Sequence, residues 1–203
     1  FEQNSGTFQG GTQDIIILGL ATISIGTFTS TTGTLSFGQE LNIRAGVDWD
    51  ANNGTVKFIA ASQDNRITTN NANLYHVIFD GIGGSWILQD DFYVQGNLTL
   101  TNGSLDASWS GLTIYLSGNF SKDLVNASFF PRNSTVQLIG GNQTISGGMN
   151  FYNLRKNLPP ATTAELIFDL SIYRSFNIEN LYLQGRDADH LLFVKSTQDY
   201  TRF

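Results

Sequence analysis

Gly6-Thr7-Phe8 returns as Gly26-Thr27-Phe28 and again, altered, as Gly46-Val47-Asp48-Trp49, with a step of 20 residues each time. A fixed period of that length is the mark of a solenoid, in which no unit buries its apolar face alone and each stacks on its neighbours. Between the glycine corners lie short alternating runs such as Thr22-Ile23-Ser24-Ile25 and Leu35-Ser36-Phe37, whose period of two is that of strands. The chain is therefore expected to be all-β: a right-handed parallel β-helix with about 20 residues per coil, the hand following from the preference of parallel crossovers. About ten coils, each about 4.8 Å tall, would make a rod about 50 Å long. An antiparallel sandwich also has short strands and many turns, but it does not call for a repeat at matching core positions.

In such a coil equivalent residues lie above one another, so Phe8, Phe28 and Trp49, the last displaced by one residue, are expected to stack in the interior. A platform for sugar rings is the other use of such aromatics. A longer echo starts at Asn53-Gly54-Thr55-Val56-Lys57-Phe58, which reappears 80 residues on as Asn133-Ser134-Thr135-Val136-Gln137-Leu138. Leu74-Tyr75-His76-Val77 is likewise echoed by Phe151-Tyr152-Asn153-Leu154, and together these predict a duplication inside the solenoid. The alternation lapses at 81–91 and 156–164, around Gly81-Ile82-Gly83-Gly84 and Pro159-Pro160, and both stretches read as insertions bulging from one face.

No linker divides residues 1–203, which read as a single domain and as a segment of a longer protein, since neither end carries a polar or helical cap. The final Tyr200-Thr201-Arg202-Phe203 stops on an aromatic, and bare ends predict association with neighbouring segments or with a second copy. With a net charge of −6 and no cluster of Lys or Arg, a phosphate-tracking surface is not expected, so nucleic acid is not a predicted partner. The absence of cysteine excludes disulfides and thiolate metal sites. No apolar run is longer than that from Ile15 to Leu18, too short to span a bilayer, which needs about 18 to 20 residues.

Catalysis on a β-helix calls for carboxylates gathered on one face, often around calcium. Asp48 and Asp50 share one side if 48–50 is a strand, whereas Asp90 and Asp91 would point to opposite sides or end a loop. Asp187-Ala188-Asp189-His190 is the densest polar group, and Asp187 and Asp189 are the candidate cation ligands, with calcium the ion they would suit. A structural turn is the competing reading, and no other cofactor is implied. His76 sits on an apparent strand where an outward polar residue fits. Trp86 and Trp109 lie outside the clearest repeat and are candidate carbohydrate contacts. Asn-x-Ser/Thr sequons stand at Asn53, Asn97, Asn102, Asn119, Asn126, Asn133 and Asn142, as glycan acceptors or as asparagines suited to left-handed corners.

Gly96-Asn97-Leu98-Thr99-Leu100, Leu116-Ser117-Gly118-Asn119-Phe120, Asn133-Ser134-Thr135-Val136-Gln137-Leu138, Gln143-Thr144-Ile145-Ser146-Gly147 and Phe151-Tyr152-Asn153-Leu154 carry a family resemblance. Together with the opening glycine repeats they resemble the repetitive surface and secreted parallel β-helix proteins, including filamentous-haemagglutinin-type adhesins and S-layer-like proteins. The resemblance implies an extracellular or cell-surface place and a non-enzymatic structural or adhesive role. Two alternatives share the coil: a polysaccharide lyase or hydrolase, whose carboxylate and arginine pattern has no match here, and a carbohydrate-binding module.

Overall fold

The computed structural model describes residues 1–158, 161–171 and 175–197, and within them the chain is all-β, with no helix long and apolar enough to cross a membrane. Every strand pair is parallel, which excludes the antiparallel sandwich. The chain winds as a solenoid of about eight turns, with three strand-bearing faces per circuit through Ala127–Phe130 and two after it among the described residues.

One face stacks Ile15–Ile17, Thr34–Phe37, Thr55–Phe58, the first halves of His76–Leu88 and Leu98–Asp106, Phe120–Lys122, Gln143–Ser146, Ala164–Asp169 and Leu192–Ser196. The second stacks Glu2–Gln3, Ala21–Ile23, Leu41–Ile43, Asn65–Thr68, the closing halves of the two long strands, and Ala127–Phe130. On the third, Thr7–Gln9, Gly26–Thr29 and Val47–Asp50 form one sheet, and the run from Asn73–Leu74 through Phe92–Val94, Thr113–Leu116, Thr135–Leu138 and Asn150–Asn157 to Asn177–Gln184 forms another.

Period-two alternation turns one side of every face inward, and each inward residue stands on its counterpart in the coil before. Leu35, Val56, Val77, Leu98, Phe120, Ile145 and Phe168 make one such column. The expected aromatic stack is present: Phe8 and Phe28 lie 4.6 Å apart and Phe28 and Trp49 4.7 Å, with planes tilted by 12° and 2°. Phe28 is fully buried between them, so the interior reading holds and the sugar platform does not. Phe58 and Phe79 continue the pattern on the first face at 4.8 Å.

The repeat is about 21 residues, and on the first face the step lengthens toward the end of the chain. From Ile15 to Leu35 the step is 20 residues, from Phe120 to Ile145 it is 25 and from Phe168 to Ser196 it is 28, which is why about eight turns fit rather than ten. The 80-residue echo is not a duplication. Thr55–Phe58 pairs on the first face and Thr135–Leu138 on the third, so 80 residues is not a whole number of turns. Both segments look alike because any strand of the coil alternates β-branched and apolar residues.

Residues 81–91 are not an inserted loop but mostly strand, with a bulge between Asp80 and Ser85. His76–Leu88 is one strand that runs round the corner from the first face to the second, with Asp80 to Ser85 opposed by only Asn102 to Ser104. The extra residues make room for Trp86, and Gly103, at φ +85°, turns the facing strand where an added Cβ would meet backbone oxygens at 2.6 Å and the Trp86 ring at 2.9 Å. In the second lapse, Asn150–Asn157 is strand, and Pro159 and Pro160 lie outside the described residues, as does Tyr200 to Phe203.

Truncating the middle ring of the first stack, Phe28→Ala, removes a fully buried aromatic with a ring on either side. The expected loss is roughly 3 to 5 kcal/mol of unfolding free energy by denaturant titration, against under about 0.5 kcal/mol for a surface change such as Thr27→Ser.

Candidate ligand-contacting corner

The connection from the second face to the third carries the most distinctive surface chemistry. Asp106, the last residue of its strand, accepts a hydrogen bond from the Ser108 amide on Oδ1 at 2.8 Å, and so folds the chain back sharply. Ser108 sits in the left-handed region at φ 64°, and Trp109 follows with 69% of its surface exposed. One coil on, Arg132, also left-handed at φ 52°, donates through Nε and Nη2 to Asp106 Oδ2 at 2.9 and 2.6 Å. That bond to Asp106 raises the guanidinium pKa above its already high ordinary value. The fixed guanidinium lies over two rings, 5.0 Å from the centre of Trp109 and 5.3 Å from that of Phe130.

Beside Arg132 opens a groove of about 560 Å³, whose polar lining includes Asn150, Tyr152, Asn177 and Glu179. Asn177 donates from Nδ2 to Asn150 Oδ1 at 2.9 Å, which holds both amides in place. Trp109, a candidate from the sequence, thus belongs to a built surface. Trp86 does not: it is fully buried at the first corner and cannot touch a ligand.

The carboxylates are spread, not gathered. Asp48 and Asp50 do share the outer side of Val47–Asp50, as alternation predicts, but Asp48 takes the Thr27 hydroxyl at 3.4 Å and Asp50 caps its own turn at the Asn52 amide, 2.8 Å away. Asp90 reaches back one coil to the amides of Thr69 and Asn70, while Asp91 reaches forward to the Thr113 amide at 2.8 Å. Asp187 closes a turn by accepting from the amides of Asp189 and His190 and pairing with His190 Nδ1 at 2.6 Å, a contact that holds its carboxyl below the usual range. No group of three or more His, Cys, Asp or Glu side chains able to hold a metal occurs among the described residues, so nothing in the geometry adds to Asp187 and Asp189 as cation ligands.

Most sequon asparagines serve the coil. The Oδ1 atoms of Asn97, Asn119 and Asn142 accept amides of the next coil, from Asn119, Thr144 and Glu165 at 2.8 to 2.9 Å, and Asn133 accepts the Gly111 amide at 3.1 Å. His76 occupies the same corner as the start of this ladder, its Nδ1 accepting the Asn97 amide at 3.0 Å. Asn102 donates from Nδ2 to Asp80 Oδ1 at 2.6 Å, and the backbone amide of Asn126 donates to Asp123 Oδ1 at 2.7 Å. Asn53, exposed and left-handed at φ 54°, is the sequon with no such tie among the described residues.

Lys156 was not singled out by sequence. Its column runs Leu74, Val94, Leu116, Leu138, Lys156 and Leu183, so the ammonium stands where leucine does elsewhere. It is fully buried and donates to the Gly140 and Gly141 carbonyls at 3.0 and 2.8 Å and to Gln143 Oε1 at 2.7 Å. The signal lay in the spacing Leu154-Arg155-Lys156-Asn157-Leu158, which gives Lys156 the parity of the apolar residues.

No protein-family model matches this chain, and neither does any curated protein or solved structure.

Burial lowers the Lys156 pKa to about 8. A lysine whose folded pKa lies below its unfolded value penalises the fold fully below the lower value and ceases to do so above the higher one. Stability should therefore rise between pH 8 and about 10.5, by at most about 3 kcal/mol, since the three acceptors favour the charged form. Lys156→Met should flatten that rise in urea titrations across this range, and an unchanged rise would show that the ammonium is solvated.

Proposed function

We propose that this chain is a non-enzymatic shaft segment of an extracellular or cell-surface protein, of the adhesin or S-layer kind that its repeats resemble. The observation that supports this reading most is the use of its acids: the candidate carboxylates from Asp48 to Asp187 stabilise turns and neighbouring coils rather than converging on a reacting centre. A lyase or hydrolase needs two such groups poised around one substrate atom. Continuous parallel pairing from coil to coil supplies the stiffness that a spacer requires.

The first coil bears on partners. Glu2–Gln3, Thr7–Gln9 and Ile15–Ile17 each pair with one neighbouring strand among the described residues, and Phe1, Ile16 and Leu18 are 42%, 63% and 73% exposed. Three parallel edges arranged around one interior are matched by another coil of the same shape. A neighbouring segment of the same protein or the end of a second copy would supply it, extending the shaft along its axis.

Sedimentation tests the contact. The isolated chain should gain mass with concentration. Ile17 accepts the Gly38 amide on its paired side, so alternation turns the Ile16 backbone to the open edge, and Ile16→Pro should hold the chain monomeric without disturbing its own pairing. A wild-type chain that stays monomeric at all concentrations would remove end-to-end stacking. Incubation with neutral and acidic polysaccharides, with and without calcium, should release no new reducing or unsaturated ends; turnover would replace the shaft with an enzyme.

A further inference from the structure

We propose that the Trp109 corner and the groove beside it form a binding site for an uncharged glycan, a property beyond the shaft role and independent of it. Trp109 packs nothing in the core: in contrast to fully buried Trp86, it stands 69% exposed on a four-residue turn. Large exposed aromatics without a packing role mark recognition surfaces, because tryptophan in water forfeits more apolar burial than almost any other side chain.

The corner is also rigid before any ligand arrives. Asp106 holds the turn with one oxygen and Arg132 with the other, and Arg132 covers one face of the indole. A ring held this way presents its remaining surface with little ordering entropy left to lose, which favours binding. Two non-glycine residues, Ser108 and Arg132, adopt left-handed backbone to build it, a strain that is frequent at ligand clamps.

The groove selects the ligand class. Alongside the Arg132 guanidinium, its polar groups are planar amides, a phenol and a carboxylate: Asn150, Asn177, Tyr152 and Glu179. Such groups offer donors and acceptors at fixed angles, which suits the paired hydroxyls of a sugar, while the C–H face of a pyranose suits an indole. Charge argues for a neutral chain. Arg132 is already answered by Asp106, Glu179 adds a negative charge, and the protein carries −6 overall, so a polyanion meets repulsion.

The test is a titration of the full chain with cellohexaose, xylohexaose and chitohexaose, alongside an array of immobilised neutral and acidic polysaccharides, read by tryptophan fluorescence and amide chemical shifts. At least one neutral glycan should bind, with shifts at Ser108 to Gly111 and at Asn177 to Glu179. Trp109→Ala should weaken it at least tenfold and Glu179→Ala several-fold, while Ile82→Ser, a change at a residue 81% exposed on another corner, should leave it unchanged. An unaltered melting temperature in Trp109→Ala separates lost contact from lost fold. Absence of binding to every neutral glycan, binding that survives Trp109→Ala, or binding confined to acidic glycans would each overturn the proposal, and none would bear on the sedimentation behaviour of the shaft.

Discussion

The structure depends on hydrogen bonds that run between coils rather than within them. Thr22 donates to Phe1, Arg44 to Ile23, Gln89 to Ile67 and Ile139 to Leu116, each bond crossing from one circuit to an adjacent one. A single circuit closes almost no backbone bonds of its own, so it has no stability alone, and cooperativity is inherited from the stack. The same constraint fixes the side chains. Parallel in-register pairing places each residue on its counterpart, so columns of like residues such as Phe8, Phe28 and Trp49 are a consequence of the ladder and reinforce it.

Polar side chains obey that geometry too. Corners leave amides that no strand satisfies, and the chain supplies acceptors one coil away: Asp14 for Thr34, His76 for Asn97, Asn97 for Asn119 and Asn119 for Thr144. An outward Lys57 similarly reaches Asp80 in the following coil at 2.7 Å, and with Asn102 it keeps that carboxyl below its ordinary range. Much of the acid and asparagine content is thereby explained as axial stitching.

The 20-residue recurrence of Gly-Thr-Phe carried the fold, since a ladder that stacks like on like writes its period directly into the sequence. The longer echo between Thr55–Phe58 and Thr135–Leu138 misled for the same reason: all three faces use one alternating pattern, so similarity of segments does not say which face they occupy. Trp86, also an aromatic outside the clearest repeat, is hidden because Gly81 and Gly103 lie against its ring and its strand is lengthened, and only pairing shows that Asp80 to Ser85 faces Asn102 to Ser104. Of the candidate corner, Trp109 was legible as an aromatic outside the repeat. Arg132 and Asp106 were not, because they lie 26 residues apart and meet only when the coil closes.

The parallel stack is tested most directly by nuclear Overhauser contacts in the isotopically labelled chain. Parallel coils predict amide-to-Hα contacts that link Leu35 to the neighbourhood of Val56, Val56 to that of Val77 and Val77 to that of Leu98, together with ring contacts from Phe8 to Phe28 and from Phe28 to Trp49. Close Hα-to-Hα contacts between strands consecutive in sequence, the sign of antiparallel hairpins, would contradict it.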